Sequence, residues 1–504
     1  MKVHNFIHIL MGIVCIGSLP KAGAVVPSPD GGYPGFTTAE GTNALKSLTS
    51  GVANTATGWY SLFMNNSGSY NTGVGAGALL FNNGEENTAT GVAALLSNTN
   101  GLGNTATGAA ALLSNTTGDV NTATGINALR SNTVGIENTA TGFDALYSNI
   151  SGDHNTATGA QALLTNDTGG SNTAAGYQAL LGNTGGAENT ANGVQALSGN
   201  STGNHNTASG FQALFSSVSA SDNTAYGHQA LLSNGVGEAN TATGKDALAS
   251  NTSGNQNTAT GTGALFHNTT GDANTAIGTN SLFNNTTGGG NIAIGTVALS
   301  ANSTGTGNTA LGGNAGTNVT TANSVICIGI NVVGQNVSNS CYIGNIWNQP
   351  GGSQAVYVNS EGKLGLQVSS RRFKDEIQPI EQVSEVIYNL KPVSFRYKPE
   401  IEPTRARGFG LIAEDVEQIS PDLVTRGSDG HSNSVRYDAV NAMLLNEFLK
   451  EHRTVQELKS MVASQKAAAA EQQKQIEALA AGLQRVSAQL ELNKSVPQVA
   501  ADNE

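Results

Sequence analysis

The sequence predicts a mainly β fold: a parallel β-solenoid of 17-residue coils, followed by a shorter C-terminal part that ends in a long helix. Three observations predict it. An Asn-Thr-Ala-Thr-Gly block begins at Asn54 and returns, with small variations, at Asn71, Asn87, Asn104 and onward to Asn308; 14 of the 15 intervals are 17 residues and one is 16. A fixed short period makes each unit one coil stacked on copies of itself. The composition agrees: 504 residues with 64 glycines, 5% aromatic and 12% charged residues cannot build one large globular core but suit a structure dominated by backbone. Beyond Ala355-Val356-Tyr357-Val358 the composition changes, charges become dense, and helical periodicity replaces the repeat.

Residues 1–24 read as a signal peptide. Lys2 precedes an apolar stretch from Phe6 to Leu19, and Ala22-Gly23-Ala24 offers small residues for cleavage. The expected location is therefore secreted or cell-surface, with a linker at 25–36. Removal of the signal leaves Cys327 and Cys341, for which export permits a disulfide; two buried free thiols are the alternative. No later segment has the roughly 18 apolar residues of a membrane-spanning helix.

The repeats occupy 37–320. Gly stands four residues after the Asn in all 16 units (Gly58, Gly75 and onward to Gly312), which marks a positive-φ turn or a close backbone approach. Leu stands eight after it in 15 units, usually preceded by Ala, as in Ala128-Leu129. A second Asn followed by Thr or Ser and Gly (Asn115-Thr116-Thr117-Gly118) is turn chemistry. Each coil is expected to hold two short strands separated by two turns. At a sheet spacing of about 4.8 Å, such coils make a shaft about 75–80 Å long. With mostly one Ala and one Leu buried per coil, association of several chains along the shaft would complete the core.

The shaft carries 13 acidic and 3 basic residues between Thr37 and Thr320, which excludes nucleic acid and anionic membrane as partners on charge grounds. Ranks of Thr-x-Thr resemble ice-binding faces. However, eight of the 16 units replace the second Thr, by residues as large as Tyr226 and Leu311, which a packing face tolerates and an ice-matching face does not. A glycan hydrolase would need convergent carboxylates, whereas Asp119, Asp153 and Asp272 stand singly at turns.

The spacing and the Asn274-Thr275-Ala276-Ile277-Gly278 and Asn291-Ile292-Ala293-Ile294-Gly295 forms resemble the head repeats of trimeric autotransporter adhesins, over Thr37 to Gly344. That resemblance implies left-handed parallel β-rolls with three chains packed side by side. The unit here is longer, and the membrane-anchoring β-barrel of those adhesins has no counterpart in the sequence.

A β-rich junction (321–368) leads to Ser369-Ser370-Arg371-Arg372-Phe373-Lys374-Asp375-Glu376-Ile377, then Leu390-Lys391-Pro392-Val393-Ser394-Phe395-Arg396-Tyr397 and Gly408-Phe409-Gly410-Leu411-Ile412-Ala413-Glu414-Asp415-Val416. Pro421-Asp422-Leu423-Val424 and Val435-Arg436-Tyr437 follow in order. These blocks resemble the intramolecular chaperone domain of phage tailspikes and endosialidases, a self-cleaving serine peptidase family. The resemblance implies an α+β chaperone and autoprotease domain at 369–454, with Ser369 as nucleophile, Lys374 as general base and cleavage at the bond flanking Ser369. A serine hydroxyl needs a base to become nucleophilic, and a lysine serves when desolvation lowers its pKa. Ser370 departs from the Asp common in the family. His431, in a Gly-Ser-Asp-Gly-His loop, reads as a solvated turn residue, and Glu414 and Asp415 as structural acids. The eight histidines lack metal-ligand spacing, so no metal or cofactor is expected.

From 455 to 492, Val455, Leu458, Val462, Gln465, Ala469, Gln472, Ile476, Leu479, Leu483, Val486 and Leu490 alternate at spacings of three and four, a heptad seam that predicts a coiled coil before a disordered tail (493–504). The combined expectation is an exported homotrimeric fibre or adhesin-like surface protein. Its chaperone directs trimerisation and shaft folding, then releases itself in a single turnover without acting on other substrates. Its partners would be itself and a surface glycan or host-surface ligand. The alternatives are a phage-type tail fibre or tailspike component, or a fibre with a non-cleaving cap.

Overall fold

The computed structural model describes residues 35–346, 356–358, 362–366, 368–399, 401–402, 404–427 and 429–493. The expected signal peptide, the linker up to residue 34 and the tail from residue 494 lie outside the described residues. The chain divides into two units, 1–351 and 352–504.

The first unit is a β-solenoid with one three-residue strand per coil, from β1 (Thr38–Glu40) and β2 (Thr55–Thr57) through β6 (Thr122–Thr124) and β7 (Thr139–Thr141) to β19 (Cys341–Ile343). All 19 strands form one parallel sheet in which each strand pairs with that of the next coil. The register follows the repeat, with Thr122 opposite Thr139 and Ala123 opposite Ala140. Because side chains alternate along a strand, the central Ala is buried and the flanking residues face outward.

The expected second strand is absent. Where it was placed, two residues per coil have left-handed backbone, for example Gln161 (φ 59°) and Leu163 (φ 52°), which no strand can contain. The cost of φ > 0 in a leucine, roughly 1–2 kcal/mol, is offset by stacking: Leu163 N–H donates to Ala179 O at 3.0 Å, and Leu146 N–H to Ala162 O at 2.9 Å.

The core also closes within one chain, against the expectation that neighbouring chains complete it. In the coil that begins at Asn121, Asn121, Ala123, Ala128, Leu129 and Asn132 are all fully buried, and the same positions are buried in coil after coil. Two asparagines per coil supply what the small apolar residues cannot. Asn121 N–H and Nδ2 donate to Asn104 Oδ1 of the preceding coil at 2.9 and 3.1 Å, and Nδ2 also reaches Gly135 O at 2.8 Å. The second asparagine does likewise, with Asn132 Nδ2 donating to Asn115 Oδ1 at 2.7 Å and Gly135 O at 3.0 Å. Buried amides stabilise only when their donors and acceptors are paired, and these two internal ladders pair them along the rod.

The glycine of the Thr-Ala-Thr-Gly block is required twice over. Gly125 has φ 137°, and a Cβ there would meet Gly142 O at 2.4 Å. The later turn glycine meets the same backbone constraint and a second one: a Cβ on Gly118 would lie 2.4 Å from Gly135 O of the next coil and 2.6 Å from Asn115 Oδ1 of its own. The two exceptions fit, since Ala220 and Ala322 stand where the ladder asparagine is replaced by Ser217 and Val319.

The cysteines follow neither expected alternative. Cys327 is the inward central residue of β18 (Ile326–Ile328), whereas Cys341 opens β19 opposite Ile326 and faces outward. Both are free, Cys327 buried and Cys341 exposed. Burial, with the nearby Cys341 adding to it, pushes the Cys327 thiol pKa up.

In the second unit, β20 (Val356–Val358) and β21 (Leu364–Leu366) form a hairpin, β22 (Val393–Arg396) pairs antiparallel with β23 (Arg407–Gly410), and β24 (Val424–Arg426) pairs with β25 (Ser432–Val435). Helix α1 (Ala413–Ile419) and the 57-residue helix α2 (Tyr437–Asn493) complete it. The core is small: Val416, Leu423, Val424, Val435 and Val440, with Val386 and Leu390 packed against it. Along α2 the heptad residues Leu458, Ile476, Leu479, Leu483 and Leu490 are exposed.

The ladder break yields a prediction. Ser217 Oγ and Asn200 Oδ1 are buried without partners, because the serine is too short to bridge the coils. Ser217→Asn alone crowds the Ala220 methyl and should not stabilise the rod. Ser217→Asn with Ala220→Gly should restore the ladder and raise stability by about 1–3 kcal/mol, less about 0.4–1 kcal/mol for the added glycine freedom. A double-mutant cycle on thermal unfolding of the solenoid checks this.

Candidate functional site

Ser369 precedes a short 3-10 turn, Arg371–Phe373, capped by Ser370 in extended conformation (φ −64°, ψ 141°). Lys374 ends that turn, its backbone N–H bonded to Arg371 O. The turn folds the chain back across the four intervening residues, and Lys374 Nζ comes to 3.5 Å from Ser369 Oγ. The spacing in sequence did not dictate this approach; the turn produces it. Arg372 lies over the Phe373 ring at 4.5 Å, and the turn buries none of its residues. Ser369 and Lys374 are both exposed. The pair can act as nucleophile and base only if another surface excludes water from it, because a low-dielectric surrounding favours the neutral amine that accepts a proton.

The other residues singled out from sequence have structural settings. Glu414 and Asp415 occupy the first turn of α1, where negative charge complements the helix dipole. His431 closes the loop between β24 and β25, its N–H donating to Asp429 Oδ1 at 3.1 Å. Among the described residues no cluster of His, Cys, Asp and Glu could hold a metal, and no helix is long and apolar enough to cross a membrane.

Sequence reasoning missed a polar latch between the 3-10 helix Glu381–Asn389 and α2. Glu447, buried on α2, accepts hydrogen bonds from Tyr388 OH and Lys450 Nζ, each at 2.8 Å, and from Ser384 Oγ. Asn446 Nδ2 adds bonds to Ser384 Oγ at 2.7 Å and Glu381 O at 3.0 Å. The Lys450 and Ser384 bonds hold the Glu447 carboxyl pKa down at about 2. Accepting from Tyr388 in turn raises that phenol, and Lys450 is raised by its carboxylate partner. The partners lie about sixty residues apart in the chain, so no local pattern announces them. The one cue was a carboxylate inside the apolar run Leu444-Leu445-Asn446-Glu447-Phe448-Leu449.

Residues 369–425 match the model of the family described as chaperone of endosialidase, a segment that opens at Ser369. Following the β-solenoid, it fits a chaperone domain of the endosialidase type, an arrangement characteristic of tailspike- and fibre-like proteins. No curated protein and no solved structure matches the chain.

The latch carries a pH prediction. The Glu447 pKa lies below its ordinary 4.5, so its contribution is present above about pH 4.5 and is lost as pH falls toward about 2. Protection factors for amide exchange across 381–389, taken relative to intrinsic rates at each pH, should therefore fall over that interval. Glu447→Ala should lower protection across 381–389 already at neutral pH.

Proposed function

We propose that this chain is an exported, homotrimeric fibre whose C-terminal chaperone segment aligns the chains, lets the solenoid fold in register, and then releases itself at the bond flanking Ser369. The family match over 369–425 carries the reading, placed as it is directly after a long repetitive shaft. The physical need is specific. Coils of one length and one pattern can pair in many wrong registers with little difference in energy, so an end clamp must set register before the repeats condense. The exposed heptad seam of α2 suits that clamp, since three helices joined along it would bury what a single chain leaves in water.

The proposed chemistry uses the pair already in reach. Lys374 Nζ takes the Ser369 hydroxyl proton, and Oγ attacks the carbonyl carbon of the flanking peptide bond. The amine leaves carrying a proton, and water hydrolyses the resulting ester. A neighbouring chain would supply the cover that the exposed pair lacks, which ties cleavage to assembly. Release of the clamp then makes unfolding of the shaft a question of rate rather than of equilibrium. The shaft's work would be reach and contact at a surface, with a glycan or host-surface molecule as its ligand class.

Intact mass of the purified protein tests this, beside Ser369→Ala and Lys374→Ala. Splitting of the unmodified chain next to Ser369, with both variants intact and all three oligomeric, is the expected outcome. An intact, oligomeric unmodified chain would leave a chaperone cap without peptidase activity.

A further inference from the structure

The strand face of the solenoid is in register and outward-facing over its whole length. Neither flanking residue of any strand from β2 to β19 is charged. The shaft carries 13 acidic and 3 basic residues, and of all the strand flanks only Glu40, in β1, is charged. The acids sit at the turns, as at Asp119, Glu137 and Asp153. At its C-terminal end the face turns apolar: Ile292, Ile294, Leu311, Ile326, Ile328 and Ile343 project from β16 (Ile292–Ile294), β17 (Thr309–Leu311), β18 and β19, and all are more than a third exposed. None belongs to the core, which is complete without them.

We infer that this strand face is where copies of the chain meet, the isoleucine-rich end closing first. The occupant is a second copy for three reasons. Acidic rods repel one another except along a face without charge. An identical rod is the partner whose ranks repeat at the same spacing over the whole length. Moreover, the apolar end is the one that runs in sequence into the chaperone segment and α2, where an exposed heptad seam already calls for copies of the same chain. The size is adequate: 19 strands at about 4.8 Å, each three residues long at about 3.3 Å, give a face of about 900 Å². A standard interface uses about 800 Å² per partner. The next surface row, with Val92, Ile126 and Phe143, is also apolar, but Lys245 interrupts it and Asp144 and Asp246 flank it; toward the C-terminal end it runs through Thr279, Thr296 and Gly313 before Ile330.

The inference rests on the oligomeric reading above, and cysteine cross-linking separates the two. Cys341 lies on the face at its apolar end, exposed, while Cys327 is buried. A short bis-maleimide should couple two chains through native Cys341, and Cys341→Ser should abolish the coupling. In the Cys341→Ser background, Thr124→Cys on the same face should also couple chains, whereas Ile126→Cys on the adjoining row should not. Coupling through Ile126→Cys but not through Thr124→Cys or Cys341, in a protein that is oligomeric by mass, would overturn the face and leave the oligomer standing. A monomeric unmodified protein would overturn both.

Discussion

The structure depends on a repeated amide-to-amide hydrogen bond. Most coils set two buried asparagines on those of the coil before them, and these bonds run along the stack that holds its spacing and register. The backbone oxygen of Gly135 and the side-chain oxygen of Asn115 forbid a Cβ at position 118; the backbone contact between Gly125 and Gly142 forbids one at 125; and two alanines and a leucine make up the apolar part of the interior in most coils. The repeat is therefore a steric and hydrogen-bonding specification. Hydrophobic burial, which dominates most folds, is here confined to a few residues per coil and shares the interior with paired amides.

That economy creates the problem that the proposed C-terminal clamp would answer. A rod of near-identical coils lacks the uneven landmarks by which an ordinary core recognises its one correct arrangement. The landmarks that exist are few: Tyr226 among threonines, the Ser217–Ala220 break, and the isoleucines of the last coils. On the proposed reading, a chaperone-type segment after the final coil would compensate for that poverty of local information. The second unit is built on the opposite principle, with a small mixed core and a unique polar latch at Glu447 that joins elements distant in the chain.

Much of this was legible in the sequence. The period gave the solenoid, the glycines their turns, and the blocks after Ser369 the domain type that the family match supports. What was misread has one cause. Pattern analysis treats Ala128-Leu129 as strand, because it sees apolar residues and not the positive φ that coil-to-coil bonding imposes at Leu129. It also treats asparagine as turn chemistry and so underestimates the core. The approach of Lys374 to Ser369 depends on a 3-10 turn, and the Glu447 latch on contacts about sixty residues apart, neither of which a one-dimensional pattern contains.

The coil from Asn71 to Asn87, one residue short, shows how little the turns matter to the stack. Thr72 N–H still reaches Asn87 O at 2.8 Å, and Asn87 N–H still reaches Asn71 Oδ1 at 3.0 Å. If one residue can be dropped from a turn without disturbing the neighbours, a whole coil can be dropped as well, because the two faces so exposed are copies of each other. Near-identical repeats invite unequal recombination between their coding units. The reach of the rod is thereby a heritable length, adjustable in steps of about 4.8 Å while the chemistry at its end stays constant.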